Sequence, residues 1–144
     1  MDITRGDASW KQTHWVAVVD DDAQIAQTLK LLLSFKGVRA SVHGSAESLL
    51  ATLSFKQGQW WLEPTGGEGE AGPLAAAVLD LNLPGMSGVD LLQKLRSQQP
   101  DLKFVMITAA RDELLRERGD DLQGVVCLAK PFGLEALENA LFGP

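Results

Sequence analysis

The sequence predicts a doubly wound α/β fold, in which helices cover both faces of a five-stranded parallel sheet. Short, continuous apolar runs recur along the chain, and such runs are typical of strands buried on both faces. Between them lie segments with apolar residues at helical spacing, so strands and helices alternate. With 144 residues, of which 45% are hydrophobic and 22% charged, the chain is long enough for one domain around a hydrophobic core.

The first half of the chain contains two strand–helix units. Ser45 has the position of a helix N-cap, and Glu47 suits the positive end of the dipole of the helix that follows. Gly37 stands where the first helix would end. The predicted elements are strand 16–19, helix 23–36, strand 38–43 and helix 45–55.

The second half contains three further strand–helix units. Ser87 begins a capping-box pattern before the third helix. The fourth helix is highly charged and only weakly amphipathic, so we expect little apolar surface to hold it in place. The predicted elements are strand 74–79, helix 88–97, strand 102–107, helix 111–118, strand 125–129 and helix 134–141.

Two segments do not fit the alternation. Residues 1–13 are predicted as a polar N-terminal extension, and residues 60–73 as a flexible insertion rich in Gly, Pro and Glu. The insertion should lie at the amino ends of the strands. Trp60 and Trp61 begin it, and they either pack over the end of the second helix or form an exposed contact for a partner.

Polar side chains stand at the carboxyl ends of four predicted strands. They are Asp20 and Asp21, Asp80, Thr108 and Lys130. Ligands of doubly wound sheets bind at this edge. Three converging carboxylates repel one another unless a hard cation with oxygen ligands, such as Mg²⁺, lies between them. Helix capping is the competing interpretation for Asp20 and Asp21, and it is the simplest one for the neighbouring Asp22.

The lysine and the threonine indicate that a phosphoryl group is bound at the same edge. An ammonium group neutralises phosphate charge, and a hydroxyl donates to a phosphate oxygen. A carboxylate such as Asp80 can accept a phosphoryl group as a nucleophile. The backbone carbonyl of Asn82 could supply a further oxygen to the cation.

Composition excludes several other classes of function. The net charge of −6 argues against direct binding of nucleic acid. Cys127 is the only cysteine, so an intrachain disulfide is excluded and a reducing compartment is expected. We see neither a signal peptide nor a membrane-spanning apolar stretch, and we therefore expect a cytoplasmic protein.

Four ordered motifs resemble those of the response-regulator receiver domains of two-component signal transduction. The resemblance runs from about Trp15 to Leu141, within a predicted domain of residues 14–142. It implies a flavodoxin-like fold with strand order 2-1-3-4-5. The motifs are residues 18–22 (VVDDD), 79–88 (LDLNLPGMSG), 107–109 (ITA) and 129–132 (AKPF).

The resemblance also implies a role for each site residue. Asp80 would be the phosphoacceptor. The other assignments are Asp20, Asp21, Asp80 and the Asn82 carbonyl as Mg²⁺ ligands, and Thr108, Ala109 and Lys130 as phosphate-binding and switch residues. The position three before the lysine is often aromatic in this family and couples the site to the opposite face. Cys127 stands there, so we expect no aromatic switch.

The implied function is regulatory rather than enzymatic. A histidine kinase or a histidine phosphotransfer protein would supply the phosphoryl group, and the domain would assist its own phosphotransfer and dephosphorylation. A partner or output domain would bind the face formed by helix 4, strand 5 and helix 5. The sequence does not distinguish a stand-alone receiver from a fragment of a larger regulator or hybrid kinase. It also leaves open whether the protein forms a homodimer. The alternatives are a phosphorylation-independent interaction module and, less well supported, a phosphatase, which usually needs a carboxylate where Asn82 stands.

Overall fold

A computed structural model describes residues 8–67 and 69–143. It contains seven strands and five α-helices within these residues. The strands are β1 (Trp15–Val19), β2 (Arg39–His43), β3 (Leu53–Lys56), β4 (Gln59–Leu62), β5 (Gly72–Asp80), β6 (Lys103–Thr108) and β7 (Val126–Ala129). The helices are α1 (Ala23–Phe35), α2 (Ala46–Leu50), α3 (Gly88–Gln98), α4 (Arg111–Arg118) and α5 (Leu134–Phe142).

Five of the strands form the predicted parallel sheet. Their order is β2-β1-β5-β6-β7, and each neighbouring pair is parallel. Counted without β3 and β4, this is the expected order 2-1-3-4-5. The order places β1 and β5 side by side, so the residues that follow these two strands lie at one edge of the sheet.

Helices cover both faces of the sheet, as predicted. Successive residues of β5 belong to different cores, since Ala77 and Leu79 pack with α2, α3 and α4 whereas Ala76 and Val78 pack with α1 and α5. The alternation follows from the strand geometry, in which neighbouring side chains point to opposite faces. All nine residues of β5 are buried, which explains its continuous apolar run.

The prediction for residues 45–62 is wrong in part. Helix α2 ends at Leu50, and an antiparallel hairpin of β3 and β4 follows where we predicted the end of the helix and the start of a flexible loop. Gln57 and Gly58 form its turn with φ of 55° and 76°, the left-handed geometry that two-residue hairpins require. The sheet therefore has seven strands rather than five.

Trp60 joins the hairpin to the third helix. Its indole Nε1 donates to the Leu95 carbonyl at 3.0 Å, and its backbone N–H donates to Gln99 Oε1 at 2.9 Å. The Phe55 ring meets it edge to face at 5.1 Å. Trp60 thus packs on the C-terminal end of α3, in the same core as Ala46 and Leu49 of α2. It belongs to a packed core rather than to an exposed contact.

The rest of the insertion is attached to the start of the sheet. Trp15 Nε1 donates to the Glu70 carbonyl at 3.0 Å, and Arg39 donates to the same carbonyl while lying 4.1 Å from the centre of the Trp15 ring. Gly72 and Pro73 pair with β4. The predicted flexible loop is therefore wrong for 60–62 and 72–73, which are in strands, although the insertion does lie at the amino end of β5 as predicted.

The N-terminal extension is only partly as predicted. Residues 9–12 form a 3₁₀ helix, and Trp10 within it is buried, with its ring centre 6.0 Å from that of Phe142 in α5. Residues 1–7 lie outside the described part of the chain. In the ranges 8–67 and 69–143, no helix is both long and apolar enough to cross a lipid bilayer.

Replacing Trp60 with Phe should lower the free energy of unfolding by about 1–2 kcal/mol, because the ring contacts persist while the hydrogen bond to the Leu95 carbonyl is lost. The matched control is Trp61→Phe. The Trp61 Nε1 is buried without a hydrogen-bond partner among the described residues, so its removal should change stability by less than about 0.5 kcal/mol. Urea unfolding of both variants measures this. Equal losses would contradict the assigned role of Trp60.

Candidate functional site

Three carboxylates meet at the carboxyl edge of the sheet. Asp20 and Asp21 follow β1, and Asp80 is the last residue of the adjacent strand β5. One oxygen of each lies within 4.8 Å of the others. Asp20 and Asp80 are 1% and 4% exposed, whereas Asp21 is open to solvent. The predicted convergence is therefore present, with one side of the cluster accessible.

Lys130 lies between the two buried carboxylates. Its ammonium nitrogen is 3.2 Å from Asp20 Oδ2 and 3.1 Å from Asp80 Oδ2. The lysine directly follows β7, and its backbone N–H donates to the Thr108 carbonyl at 2.8 Å. The peptide bond to Pro131 is cis. The ends of three strands, β1, β5 and β7, thus bring a single cation to two anions.

The remaining oxygens of the buried carboxylates accept backbone hydrogen bonds. Asp20 Oδ1 accepts from the Asp22 N–H at 2.9 Å, and Asp80 Oδ1 accepts from the Asn82 N–H at 3.3 Å. Each carboxylate is therefore fixed by its own loop on one oxygen and by Lys130 on the other. Asp22 caps α1 by accepting from Gln24 and Ile25, as predicted, so capping does not explain Asp20 or Asp21.

Burial and the contacts within the site shift the pKa values of Asp80 and Lys130. Burial raises the pKa of Asp80; the hydrogen bond from Lys130 opposes the shift, and the charge of Asp20 adds to it. Burial alone would lower the pKa of Lys130, but its hydrogen bonds to Asp80 and Asp20 outweigh burial and raise it. Lys130 is therefore charged at neutral pH, and the carboxylates favour the approach of a further cation.

Thr108 ends β6 beside this cluster. It is fully buried, and its Oγ1 accepts the Ala110 N–H at 3.0 Å. The residue before it, Ile107, is paired with Asp80. Because Oγ1 is the acceptor in that bond, the hydroxyl proton can still be donated to another group. Ala109 is exposed in the loop that leads to α4.

Asn82 lies at the exposed start of the loop between β5 and α3. The preceding carbonyl, that of Leu81, accepts hydrogen bonds from Leu83 and Gly88. The Asn82 carbonyl accepts none among the described residues. Three carboxylate oxygens and an unengaged carbonyl are the hard oxygen donors that Mg²⁺ prefers, so the residues present fit such an ion.

Two site-related residues were missed in the sequence because their partners are distant in the chain. Arg111 opens α4, and its Nε donates to the Cys127 carbonyl of β7 at 2.8 Å. Cys127 itself is buried, and burial raises the pKa of its thiol. Arg111 thus joins the start of α4 to β7 at Cys127, the position that is often aromatic in receiver domains.

The second missed residue is Glu47, whose carboxylate accepts a hydrogen bond from Met86 in the loop after Asp80.

Comparison with known proteins places these features in a family. A model of the response regulator receiver domain matches residues 16–142. The chain belongs to this family. Receiver domains are components of two-component regulatory systems, which agrees with the fold and with the acidic edge described above.

Individual relatives agree with this assignment. The probable transcriptional regulatory protein TcrX of Mycobacterium tuberculosis is 30% identical over 120 residues, which are 83% of this chain and 44% of TcrX. The chain therefore spans less than half the length of that relative. A sensor protein from Polaromonas sp. JS666 has a TM-score of 0.67 and 28% identity, over 89% of this chain and 92% of that one. The receiver domain of HemR from Leptospira biflexa has a TM-score of 0.67 and 25% identity, over 89% and 90%.

Proposed function

We propose that this receiver domain accepts a phosphoryl group on Asp80 from a phosphohistidine. The observation that carries the proposal is the position of Asp80, a buried strand-end carboxylate 3.1 Å from the Lys130 ammonium and within a cluster of three acids. A buried carboxylate in such a cluster costs stability, and a nucleophilic role explains why it stands there.

The transfer exchanges one bond to phosphorus for another. A carboxylate oxygen of Asp80 attacks the phosphorus, the bond from phosphorus to the donor's imidazole nitrogen breaks, and an acyl phosphate forms. The imidazole leaves with the electron pair of that bond and then takes up a proton from solvent. Lys130 neutralises charge on the transferred oxygens, and the Thr108 hydroxyl donates to one of them.

Mg²⁺ is the cofactor that the donor set favours. Asp20, Asp21, Asp80 and the Asn82 carbonyl would hold it. When bound, it would neutralise negative charge on the phosphoryl oxygens. Asp21 leaves the cluster open to solvent, which gives the ion a path into the site.

A groove beside the site supports docking of a protein phosphodonor. The groove has a volume of about 570 Å³ and runs between α1 and α5. Lys130 lies at its wall, with Ile25, Leu29, Leu32 and Phe132 among the apolar residues that line it. We propose that a histidine kinase or a histidine phosphotransfer protein binds here.

The phosphorylated state would act by shifting an equilibrium between conformers. The Thr108 hydroxyl accepts from Ala110, the N-cap of α4, and Arg111, the first residue of α4, donates to β7. A change at the Thr108 hydroxyl would therefore reach the face formed by α4, β7 and α5. We propose that an output partner binds this face, where Leu115 and Val126 are exposed. The cytoplasmic location and a homodimer stay predictions.

One experiment tests the proposal directly. The protein is incubated with Mg²⁺ and a small phosphodonor such as acetyl phosphate, and its intact mass is measured. We expect one phosphoryl addition that is stable in acid and labile in base, and borohydride reduction should locate it at Asp80. A protein that stays unmodified would instead support the phosphorylation-independent interaction module.

A further inference from the structure

Within residues 8–67 and 69–143, one side chain of α2 hydrogen-bonds to the loop after Asp80. Glu47 is the second residue of α2, and its Oε2 accepts the Met86 backbone N–H at 3.0 Å. The neighbouring Gly85 has φ of 74°, and a Cβ at that position would lie 2.7 Å from the same oxygen. The loop therefore rests against the carboxylate at two consecutive residues.

The other hydrogen bonds from the loop to β6 and α3 lie at its two ends, and between them the Leu83 side chain is buried in the core. Leu81 donates to the Ile107 carbonyl of β6, and Ser87 caps α3 by accepting from the Asp90 N–H. Between these ends, the Asn82 backbone N–H donates to Asp80. Among the described residues, Glu47 is the one hydrogen-bond partner of the stretch 82–86 that belongs neither to β5 nor to the loop itself. Its bond therefore constrains the path of the loop on the side away from β6.

We propose that Glu47 is a positioning residue for the acidic site, and that its bond to Met86 directs the Asn82 carbonyl toward the cation held by the three aspartates. This inference rests on the proposed function. The Asn82 carbonyl shares a peptide plane with the Leu83 N–H, which donates to the Leu81 carbonyl at 3.2 Å, so the direction of the Asn82 carbonyl follows the course of the loop. Outer-sphere partners that orient ligands in this way affect metal affinity without touching the metal.

The chemistry of Glu47 suits this task. The Met86 N–H, followed by the residue's own backbone N–H, holds the pKa of Glu47 below its usual range, so the side chain is ionised at neutral pH. Hydrogen bonds to an ionised acceptor are shorter and stronger than those between neutral groups. The glutamate is exposed and makes no contribution to the hydrophobic core, so its replacement does not open a cavity.

Three substitutions separate the hydrogen bond from the charge. Glu47→Gln keeps an acceptor of the same length, Glu47→Asp keeps the charge but is too short to reach Met86, and Glu47→Ala removes both. The control is Glu135→Ala, which removes an exposed carboxylate from the corresponding second position of α5. This control measures how Mn²⁺ affinity changes when a negative charge is lost from a helix N-terminus without the loss of a hydrogen bond to the loop.

The measurements are Mn²⁺ affinity, by electron paramagnetic resonance of the free ion, and hydrogen exchange of the Met86 amide. We expect Glu47→Ala and Glu47→Asp to weaken Mn²⁺ binding about tenfold and to speed exchange at Met86. The Mn²⁺ affinities of Glu47→Gln and Glu135→Ala should stay within about threefold of that of the unmodified protein, which is clearly less than the roughly tenfold change expected when an outer-sphere bond is lost. The phosphorylation rate with acetyl phosphate is measured in parallel.

The outcomes distinguish this inference from the function on which it rests. If the unmodified protein binds no Mn²⁺ and takes up no phosphoryl group, the proposed function fails, and the positioning role fails with it. If the unmodified protein does both and all three Glu47 variants match Glu135→Ala, only the positioning role is overturned. A pattern in which Glu47→Asp is normal and Glu47→Gln is weak would overturn it too, since charge rather than the bond would then matter.

Discussion

Replacing Asp80 with Asn is expected to abolish phosphorylation and to make the metal-free protein more stable. The first effect follows because an amide oxygen cannot form the acyl phosphate. The second follows because Asp80 is a buried carboxylate beside Asp20, with Lys130 as their shared cation. Removing the charge of Asp80 leaves Asp20 and Lys130 as one ion pair. We expect a gain of about 1 kcal/mol in the free energy of unfolding near neutral pH, a common result where a site trades stability for function.

The pH dependence gives this prediction a definite sign. Because the folded protein raises the pKa of Asp80, the folded state binds more protons than the unfolded state as the pH falls. The cost of the charged carboxylate is therefore present at neutral pH and is relieved as the pH falls through the folded pKa. The gain from Asp80→Asn should shrink in the same window.

Urea unfolding in the presence of EDTA, near neutral pH and at about pH 5, measures this difference. Asp101→Asn is a suitable control, because Asp101 is exposed and is remote from the carboxyl edge of the sheet. A phosphoryl addition that persists in Asp80→Asn would rule out Asp80 as the acceptor. If Asp80→Asn instead had a lower free energy of unfolding at neutral pH, Lys130 would be shown to offset the cost of both buried carboxylates.

Replacing Lys130 with Met should slow phosphorylation at least about 100-fold and should destabilise the protein. The rate falls because the cation that neutralises the transferred oxygens is lost. Stability falls because Asp20 and Asp80 are left buried without a counter-charge, which typically costs about 3 kcal/mol near neutral pH. Both effects depend on the contacts of 3.2 Å and 3.1 Å that the lysine makes with these carboxylates.

The sign of the pH effect again follows from the pKa shifts. The pKa of Lys130 is raised in the folded state, so its own contribution is complete below about pH 10 and is lost only as the pH rises through the folded value. Without the lysine, the pKa of Asp80 should rise further. The stability deficit of Lys130→Met should therefore shrink as the pH falls below neutral and Asp80 takes up a proton.

Chemical denaturation and intact-mass kinetics measure these effects, with Lys94→Met on the exposed face of α3 as the control. The double variant Asp80→Asn/Lys130→Met adds a test of coupling. Only Asp20 is left unpaired in it, so Lys130→Met should cost less stability in that background. Equal costs in both backgrounds would mean that Lys130 and Asp80 do not interact, contrary to the geometry.

The sequence was sufficient to predict the main sheet and the convergence of its polar ends. Asp80, Thr108 and Lys130 each end an apolar run. In a parallel sheet with right-handed crossovers, the ends of such runs must meet at one edge. No knowledge of side-chain contacts was needed, because the direction of the strands alone brings these residues together. The departure at Cys127 was identified differently, from the resemblance to receiver domains, in which the position three before the lysine is often aromatic.

The hairpin was missed although its signals were present. Leu53, Phe55, Trp60 and Leu62 alternate with more exposed residues, and Gly58 lies at the turn, which is the pattern of two half-buried strands. The alternation was too short to outweigh the expectation that the second helix continues. What makes these strands stable is the packing of Trp60 on α3, and its partner Leu95 lies 35 positions further along the chain.

The sequence by itself determined which chemical groups reach the carboxyl edge of the sheet, because strand direction and apolar run length are local properties. Only the tertiary structure decided how those groups are held. Glu47 and Met86 are 39 positions apart, and Arg111 meets the backbone of Cys127 rather than its side chain. Such contacts depend on distances of a few ångströms between separate elements, and the packing of the helices on the sheet sets those distances.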